Sequence, residues 1–109
     1  MTANLRSDGK AVDVVANKTG LKGDIVRFEG WNGVAMRDFT SGETVAIETT
    51  QREFVFNIGA LTGAKGDVLY LTSAGALSNT ASGNTPVIKI TKAKNSDNVV
   101  WAKLLPQLS

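Results

Sequence analysis

The sequence predicts an all-β protein, a small antiparallel β-barrel or sandwich built from two tandem hairpin-type repeats, with an extended N-terminal arm. Three observations predict this fold class. Apolar and polar residues alternate in short runs, and helical spacing of apolar residues is sustained nowhere. The chain contains 11 glycines, many of them between these runs, as in turns that join short strands. The motif TGLKGD at residues 19–24 recurs as TGAKGD at residues 62–67, which indicates an internal duplication.

The length and the repeated motif together predict the domain organisation. A chain of 109 residues has the size of one domain and can bury a hydrophobic core. Residues 1–9 show no strand or helix periodicity, so we expect them to form the arm. Residues 10–109 are expected to form a single β domain. Its internal repeats are predicted at about residues 19–58 and 62–105.

Alternating residues place the strands of the first half. We expect strands at residues 10–16, 24–29, 34–37, 43–50 and 52–58. Val26 and Phe28 alternate with charged residues and mark a buried face. In the last of these strands Phe54, Phe56 and Ile58 recur at every second position and mark another buried face. Between the second and third strands, GWNG at residues 30–33 predicts a tight turn, because Asn-Gly is a strong hairpin signal.

The second half follows a similar plan. We expect strands at residues 67–71, 76–77, 87–91 and 99–105. Leu69 and Leu71 occupy positions equivalent to the apolar pair of the first half. The turn sequence SGNT at residues 82–85 resembles SGET at residues 41–44, and each precedes a strand. The two halves are therefore predicted to correspond strand for strand, and Pro106 is expected to end the last strand.

The composition restricts the chemistry that the chain can perform. There are 12 Lys and Arg against 10 Asp and Glu, a net charge of +2, with no histidine and no cysteine. So small an excess does not by itself indicate a polyanionic partner. The missing residues exclude the usual general base near neutral pH, histidine metal ligands and cysteine chemistry. The first ten residues contain no apolar signal segment and no run approaches a membrane span, so we expect a soluble protein.

Two aspartates and a set of aromatic residues are the candidates for chemistry. Asp24 and Asp67 lie at the same position of the repeated motif and could form a pair of acids, as in a hydrolase, or a cation site. The interpretation that we favour is that each caps the turn before its strand. A binding module for single-stranded nucleic acid is the other alternative, with exposed aromatics as stacking surfaces. It would use Trp31, Phe39, Tyr70 and Trp101, with Arg37 and Lys103.

The charges near these aromatics are mixed in sign, which counts against nucleic acid. A structural interpretation is that Trp101 belongs to the core and that Trp31 caps a hairpin. In the arm, Leu5 and Arg6 could order against a partner by adding a strand to an exposed sheet edge, although a frayed terminus explains them equally well. The residues alone thus predict a duplicated, non-catalytic β domain that presents surface to a partner.

The order of the motifs along the chain adds a resemblance to a known family. The motifs, in chain order, are DGKAV at residues 8–12, GDIV at 23–26, NGVA at 32–35, SGETV at 41–45, EFVF at 53–56, GDVLYL at 66–71 and GNTPVI at 83–88. Together they resemble the capsid cement, or head-decoration, proteins of tailed bacteriophages, over roughly residues 8–105. The segment that follows residue 98 is more apolar than the family's usual ending.

The resemblance implies a structural protein rather than an enzyme. Such a protein, made in the host cytoplasm, binds the outer surface of the expanded head, bridges major capsid subunits and stabilises the shell against the pressure of packaged DNA. It also implies self-association on the capsid, with a trimer favoured over a dimer. No cofactor, small-molecule substrate, membrane or direct nucleic-acid partner is expected. The candidates for shell contact are Asn4, Leu5 and Arg6 in the arm, and Trp31, Arg37 and Phe39 as exposed hairpin residues.

Overall fold

The computed structural model describes residues 10–107 and contains nine β-strands and no helix in that part of the chain. The strands are β1 (Ala11–Val15), β2 (Ile25–Phe28), β3 (Trp31–Ala35), β4 (Thr44–Glu48), β5 (Glu53–Asn57), β6 (Val68–Leu71), β7 (Leu77–Ser78), β8 (Thr85–Lys92) and β9 (Val99–Leu104). Every pairing is antiparallel. The predicted all-β antiparallel class is confirmed. Residues 10–107 accordingly contain no helix that could cross a membrane.

The strands form two sheets that share one topology. The first sheet has the order β1-β4-β3-β2 and the second has the order β5-β9-β8-β6-β7. Without the short edge strand β7, each sheet runs first, fourth, third, second strand. By position in the sheet, β2 corresponds to β6, β3 to β8 and β4 to β9. The prediction that the SGET and SGNT turns precede corresponding strands is therefore wrong, because β7 is inserted before β8 and shifts the sequence offset.

The repeated motif forms the same turn in both sheets. The Asp24 carboxylate accepts a hydrogen bond from the Leu21 N–H at 3.0 Å, and the Asp67 carboxylate accepts one from the Ala64 N–H at 2.9 Å. A side chain that bonds its own turn in this way fixes the entry to the following strand. The structure thus supports the interpretation of both aspartates as turn-capping residues.

The same turns bind equivalent neighbouring strands. Gly23 and Gly66 adopt φ angles of 90° and 91°, which an L side chain rarely tolerates. The Gly23 N–H donates to the Ala35 carbonyl at the end of β3, and the Gly66 N–H donates to the Ile90 carbonyl in β8, both at 2.8 Å. These bonds independently identify β3 and β8 as corresponding strands.

The hairpin between β2 and β3 turns two residues earlier than predicted. Its turn residues are Glu29 and Gly30, with φ angles of 52° and 82°, as a two-residue type I′ turn requires. Asn32 and Gly33 instead lie inside β3, and a Cβ on Gly33 would stand 2.7 Å from the Glu48 carbonyl oxygen. The Asn-Gly pair does not form a turn here, because its glycine lies where β3 and β4 approach each other closely.

Each sheet contributes its own cluster of buried apolar side chains. The first cluster comprises Val14, Ala16, Val26, Phe28, Ala35, Phe39, Val45 and Ile47. The second comprises Phe56, Ile58, Leu69, Leu71, Val87, Ile88, Ile90, Val100, Ala102 and Leu104, together with Ile25 and Val34 from the first sheet. The buried faces predicted for β2, β5 and β6 are confirmed. Since Ile25 and Val34 point away from their own cluster, they join the first sheet to the core of the second.

A buried polar residue reinforces the junction between the sheets. Asn32 is 1% exposed, and its side-chain oxygen accepts a hydrogen bond from Arg27 Nη1 at 2.8 Å. Its backbone N–H donates to the Gln107 side chain at 2.9 Å, and its carbonyl accepts from the same amide at 2.8 Å. Lys18 Nζ also donates to the Gly75 carbonyl at 3.0 Å. These bonds tie Gln107, near the end of the chain, and Gly75 of the second half to the first half.

Replacing Asn32 with alanine is expected to lower the free energy of unfolding by about 1–3 kcal/mol, because Arg27 loses a partner in a poorly solvated position. Urea denaturation followed by circular dichroism measures this change. Asn17→Ala removes the same amide from an exposed position and should leave the unfolding midpoint almost unchanged. Equal effects of the two substitutions would contradict a structural role for the buried amide.

Candidate functional site

Trp31 is exposed, as the sequence analysis expected. It is the first residue of β3, directly after the Glu29-Gly30 turn, and 41% of its surface is accessible. A large aromatic side chain that is held on a strand and left in solvent loses little conformational entropy when a partner covers it. The position therefore suits a contact surface, and the contact itself stays a prediction.

Arg37 is also exposed, but local contacts hold its guanidinium. Nη1 donates to the Asp38 carbonyl at 2.9 Å, Nη2 donates to the Thr44 carbonyl, and Nη1 lies 3.7 Å from a carboxylate oxygen of Glu43. The Thr40 backbone N–H donates to the same oxygen at 2.7 Å, and this bond is the main cause of a lowered Glu43 pKa. Arg37 thus organises the turn between β3 and β4, and a partner would have to displace some of these contacts.

Phe39 is buried, so the prediction that it is an exposed hairpin residue is wrong. Only 2% of it is accessible, and its ring packs edge-on against Phe28 with 5.5 Å between centroids. A Cβ on Gly20 would lie 2.4 Å from this ring, because an isolated bridge pairs Gly20 with Phe39. The bridge draws the aromatic ring into the first core. Of the other predicted contact residues, Asn4, Leu5 and Arg6 lie outside the described part of the chain.

Trp101 is exposed, so the interpretation of this residue as core is wrong. In β9 the side chains of Val100, Ala102 and Leu104 are buried, and Trp101, which lies between them, points outward with 41% of its surface accessible. Lys92 Nζ lies 4.8 Å from the centroid of its ring, a cation–π contact. The alternation of small and aliphatic residues around Trp101 was the sequence signal that could have revealed its orientation.

The aromatic residues proposed for nucleic-acid stacking do not form one platform. Trp31 belongs to the first sheet, whereas Trp101 and Tyr70 belong to the second. Trp101 on β9 pairs with Lys92 of β8, and Tyr70 on β6 pairs with Pro86 of β8. Six residues of strand separate those two positions, about 20 Å at the usual rise per residue. Successive bases of a single strand would not reach these rings together.

Exposed large apolar side chains lie on both sheets and in the connecting segments of the first half. They are Val15, Leu21, Trp31, Met36, Val55 and Trp101. Val55, at the centre of β5, is 64% accessible and lies opposite Trp101 on the neighbouring strand. Val55 is not among the predicted contact residues, although its position between the core residues of β5 places it on the outward face.

A cleft of about 530 Å³ lies between the sheets. Lys18, Lys22 and Asp24 line one side and Val55 lies on the other, while Asp67 is not among the lining residues. The pair of acids required by the hydrolase alternative is therefore not brought together in this cleft. Within residues 10–107, no group of three or more acidic side chains could hold a metal ion.

Comparison with known proteins identifies the family of the chain. No curated protein and no solved structure matched the sequence. Residues 6–104 match the family described as phage cement protein, which agrees with the resemblance that the order of the motifs carries. The match spans all nine strands. The chain therefore belongs to the phage cement protein family, whose members are structural components of the bacteriophage capsid.

Proposed function

We propose that the protein decorates the outer surface of the expanded phage head, where it bridges neighbouring major capsid subunits and stabilises the shell against the pressure of packaged DNA. The observation that carries this proposal is the family match over residues 6–104. A cement protein needs no catalytic group. It needs a rigid scaffold that holds contact residues at fixed positions. Two antiparallel sheets, joined because Ile25 and Val34 of the first are part of the core of the second, meet that need.

The shape of the molecule supports bridging. Its principal extents are 49 × 30 × 26 Å, and each of its two sheets exposes one tryptophan, Trp31 in the first and Trp101 in the second. Contacts at separate places on one elongated body can engage two capsid subunits. Once the first contact forms, the second benefits from a high effective concentration, so moderate contacts yield durable attachment.

The proposed shell contacts are Trp31 and the arm residues Asn4, Leu5 and Arg6. Tryptophan and arginine are enriched among residues that dominate binding energy. Arg37 is a secondary candidate because it already has local partners. The arm is proposed to add a strand to an edge of the capsid protein.

Sedimentation with expanded heads that lack the protein tests this function. We expect the wild-type chain at micromolar concentration to pellet with the heads and the heads to resist heating better than undecorated heads. Deletion of residues 2–7 should weaken binding without changing the circular dichroism spectrum of the free protein. Absence of the wild-type chain from the pellet would contradict the proposed function.

A further inference from the structure

The edge of the second sheet formed by β5 has no partner strand among the described residues. The Ile58 N–H donates to the Asn98 carbonyl at 2.9 Å, and hydrogen-bonded positions alternate along an antiparallel pair. The backbone groups of the second and fourth residues of β5 therefore face β9. Those of Glu53, Val55 and Asn57 point toward the open edge, where they are available to another strand.

The charged residue of β5, Glu53, stands at its first position, so the centre of this edge lacks the protection that the other sheet edges have. Charged residues, short strands and proline normally prevent edges from pairing with other chains. The edge strand β1 has Asp13 at its centre, the edge strand β2 carries Arg27, and β7 has two residues. At the centre of β5 stands Val55, the most exposed large apolar residue described. Val55 also lines the cleft between the sheets.

We propose that β5 pairs antiparallel with β5 of a second copy of the chain, around a two-fold axis at Val55. The sequence of this strand, Glu-Phe-Val-Phe-Asn, is nearly palindromic. In the two-fold register Val55 lies opposite itself and Glu53 lies opposite Asn57. These are the residues whose backbone groups point outward. In this register the free N–H and C=O groups of both β5 strands are hydrogen-bonded, and the second sheets of the two copies form one continuous sheet.

The side chains of this register are also complementary. Glu53 faces the amide of Asn57, so no like charges lie directly opposite each other, an arrangement that would destabilise the pair. On the inner face Phe54, which is half-buried, lies opposite Phe56 of the second copy and gains cover. On the outer face Val55 and Trp101 of each copy form one apolar row across the joined sheet. A symmetric, self-complementary contact of this kind closes as a dimer.

This inference deepens the self-association expected of a capsid cement protein, and of the two oligomers expected it favours the dimer. It concerns the protein in solution, whereas the proposed function concerns binding to heads. A failure of one is therefore distinguishable from a failure of the other. The self-association test measures the oligomeric state of the free full-length chain, and the head-binding test measures how much of the chain pellets with expanded heads.

Cysteine cross-linking tests the register directly, because the chain contains no cysteine. Opposed residues in a hydrogen-bonded antiparallel pair have Cα atoms about 5.5 Å apart, within the range of a disulfide. Oxidised Val55→Cys is expected to run as a covalent dimer on a non-reducing gel. Val15→Cys, at an exposed valine of the edge strand β1, is the matched control and should stay monomeric. Equal cross-linking of the two variants, or none at position 55, would overturn the proposal.

Sedimentation velocity with a charged variant provides the second test. The wild-type chain is expected to dimerise at micromolar concentration, and Val55→Lys should weaken self-association about tenfold or more, because two lysines meet at the axis. Val15→Lys should dimerise as wild type does, and the thermal transitions of both variants report whether they fold. A monomeric wild-type chain would overturn the proposal. If the wild-type chain were monomeric and Val55→Lys lost head binding, the strand that pairs with the β5 edge would belong to the capsid protein instead.

Discussion

Replacing Phe28 with alanine is expected to lower the free energy of unfolding by about 3–5 kcal/mol and to destabilise both sheets together. Phe28 is 1% exposed in the first core and packs against Phe39. The loss should reach the second sheet because Ile25 and Val34 of the first sheet are part of its core. A loss of this size is a large share of the total stability of a small protein.

Single-tryptophan variants measure the two sheets separately. The chain has two tryptophans, one in each sheet, so Trp31→Phe leaves a probe of the second sheet and Trp101→Phe leaves a probe of the first. In urea, both probes should report one midpoint, and Phe28→Ala should lower both midpoints equally. Phe54→Ala, the same truncation at a half-buried ring, should cost less. A shift seen by Trp31 alone would contradict the prediction that residues 10–109 form one domain.

Replacing Trp31 with alanine is expected to weaken binding to expanded heads by about 30-fold, the effect of losing a residue that contributes roughly 2 kcal/mol at the centre of an interface. The side chain is already 41% exposed, so its removal should have little effect on folding. Binding isotherms from head sedimentation give the affinity, and urea denaturation verifies the fold.

Two further variants show whether the ring itself makes this contact. Trp31→Phe retains an aromatic side chain and should recover part of the affinity. Met36→Ala, at another exposed apolar residue of the first half, should bind heads as the wild type does. If Trp31→Ala binds with unchanged affinity, the principal contact lies elsewhere, and the arm deletion becomes the deciding measurement.

Most strands and buried faces could be predicted from the sequence because they depend on local patterns. Val26 and Phe28 alternate with charged residues, Leu69 and Leu71 recur at the equivalent positions of the second half, and all four are buried. The repeated Gly-Asp turn was likewise predictable, since its hydrogen bonds lie within a few residues. Periodicity and turn chemistry act over short distances, and the sequence displays them directly.

Orientation and exposure of the large aromatics could not be predicted with the same success. Phe39, predicted to be exposed, is buried, and Trp101, interpreted as core, is exposed. Phe39 is buried because of Gly20, a residue distant in sequence that leaves room for its ring. Trp101 is exposed because the inner face of β9 is filled by smaller side chains. Both outcomes depend on which strands become neighbours.

By itself the sequence determined the all-β class, most strand positions, the two capped turns and, through the order of its motifs, the family. Only the tertiary structure decided that β3 corresponds to β8, that Asn32 is buried at the junction and that β5 is left as an open edge with Val55 at its centre. The physical reason is the range of the interactions. Strand propensity and turn formation are local, whereas sheet order, burial and free edges arise from contacts between residues far apart in the chain.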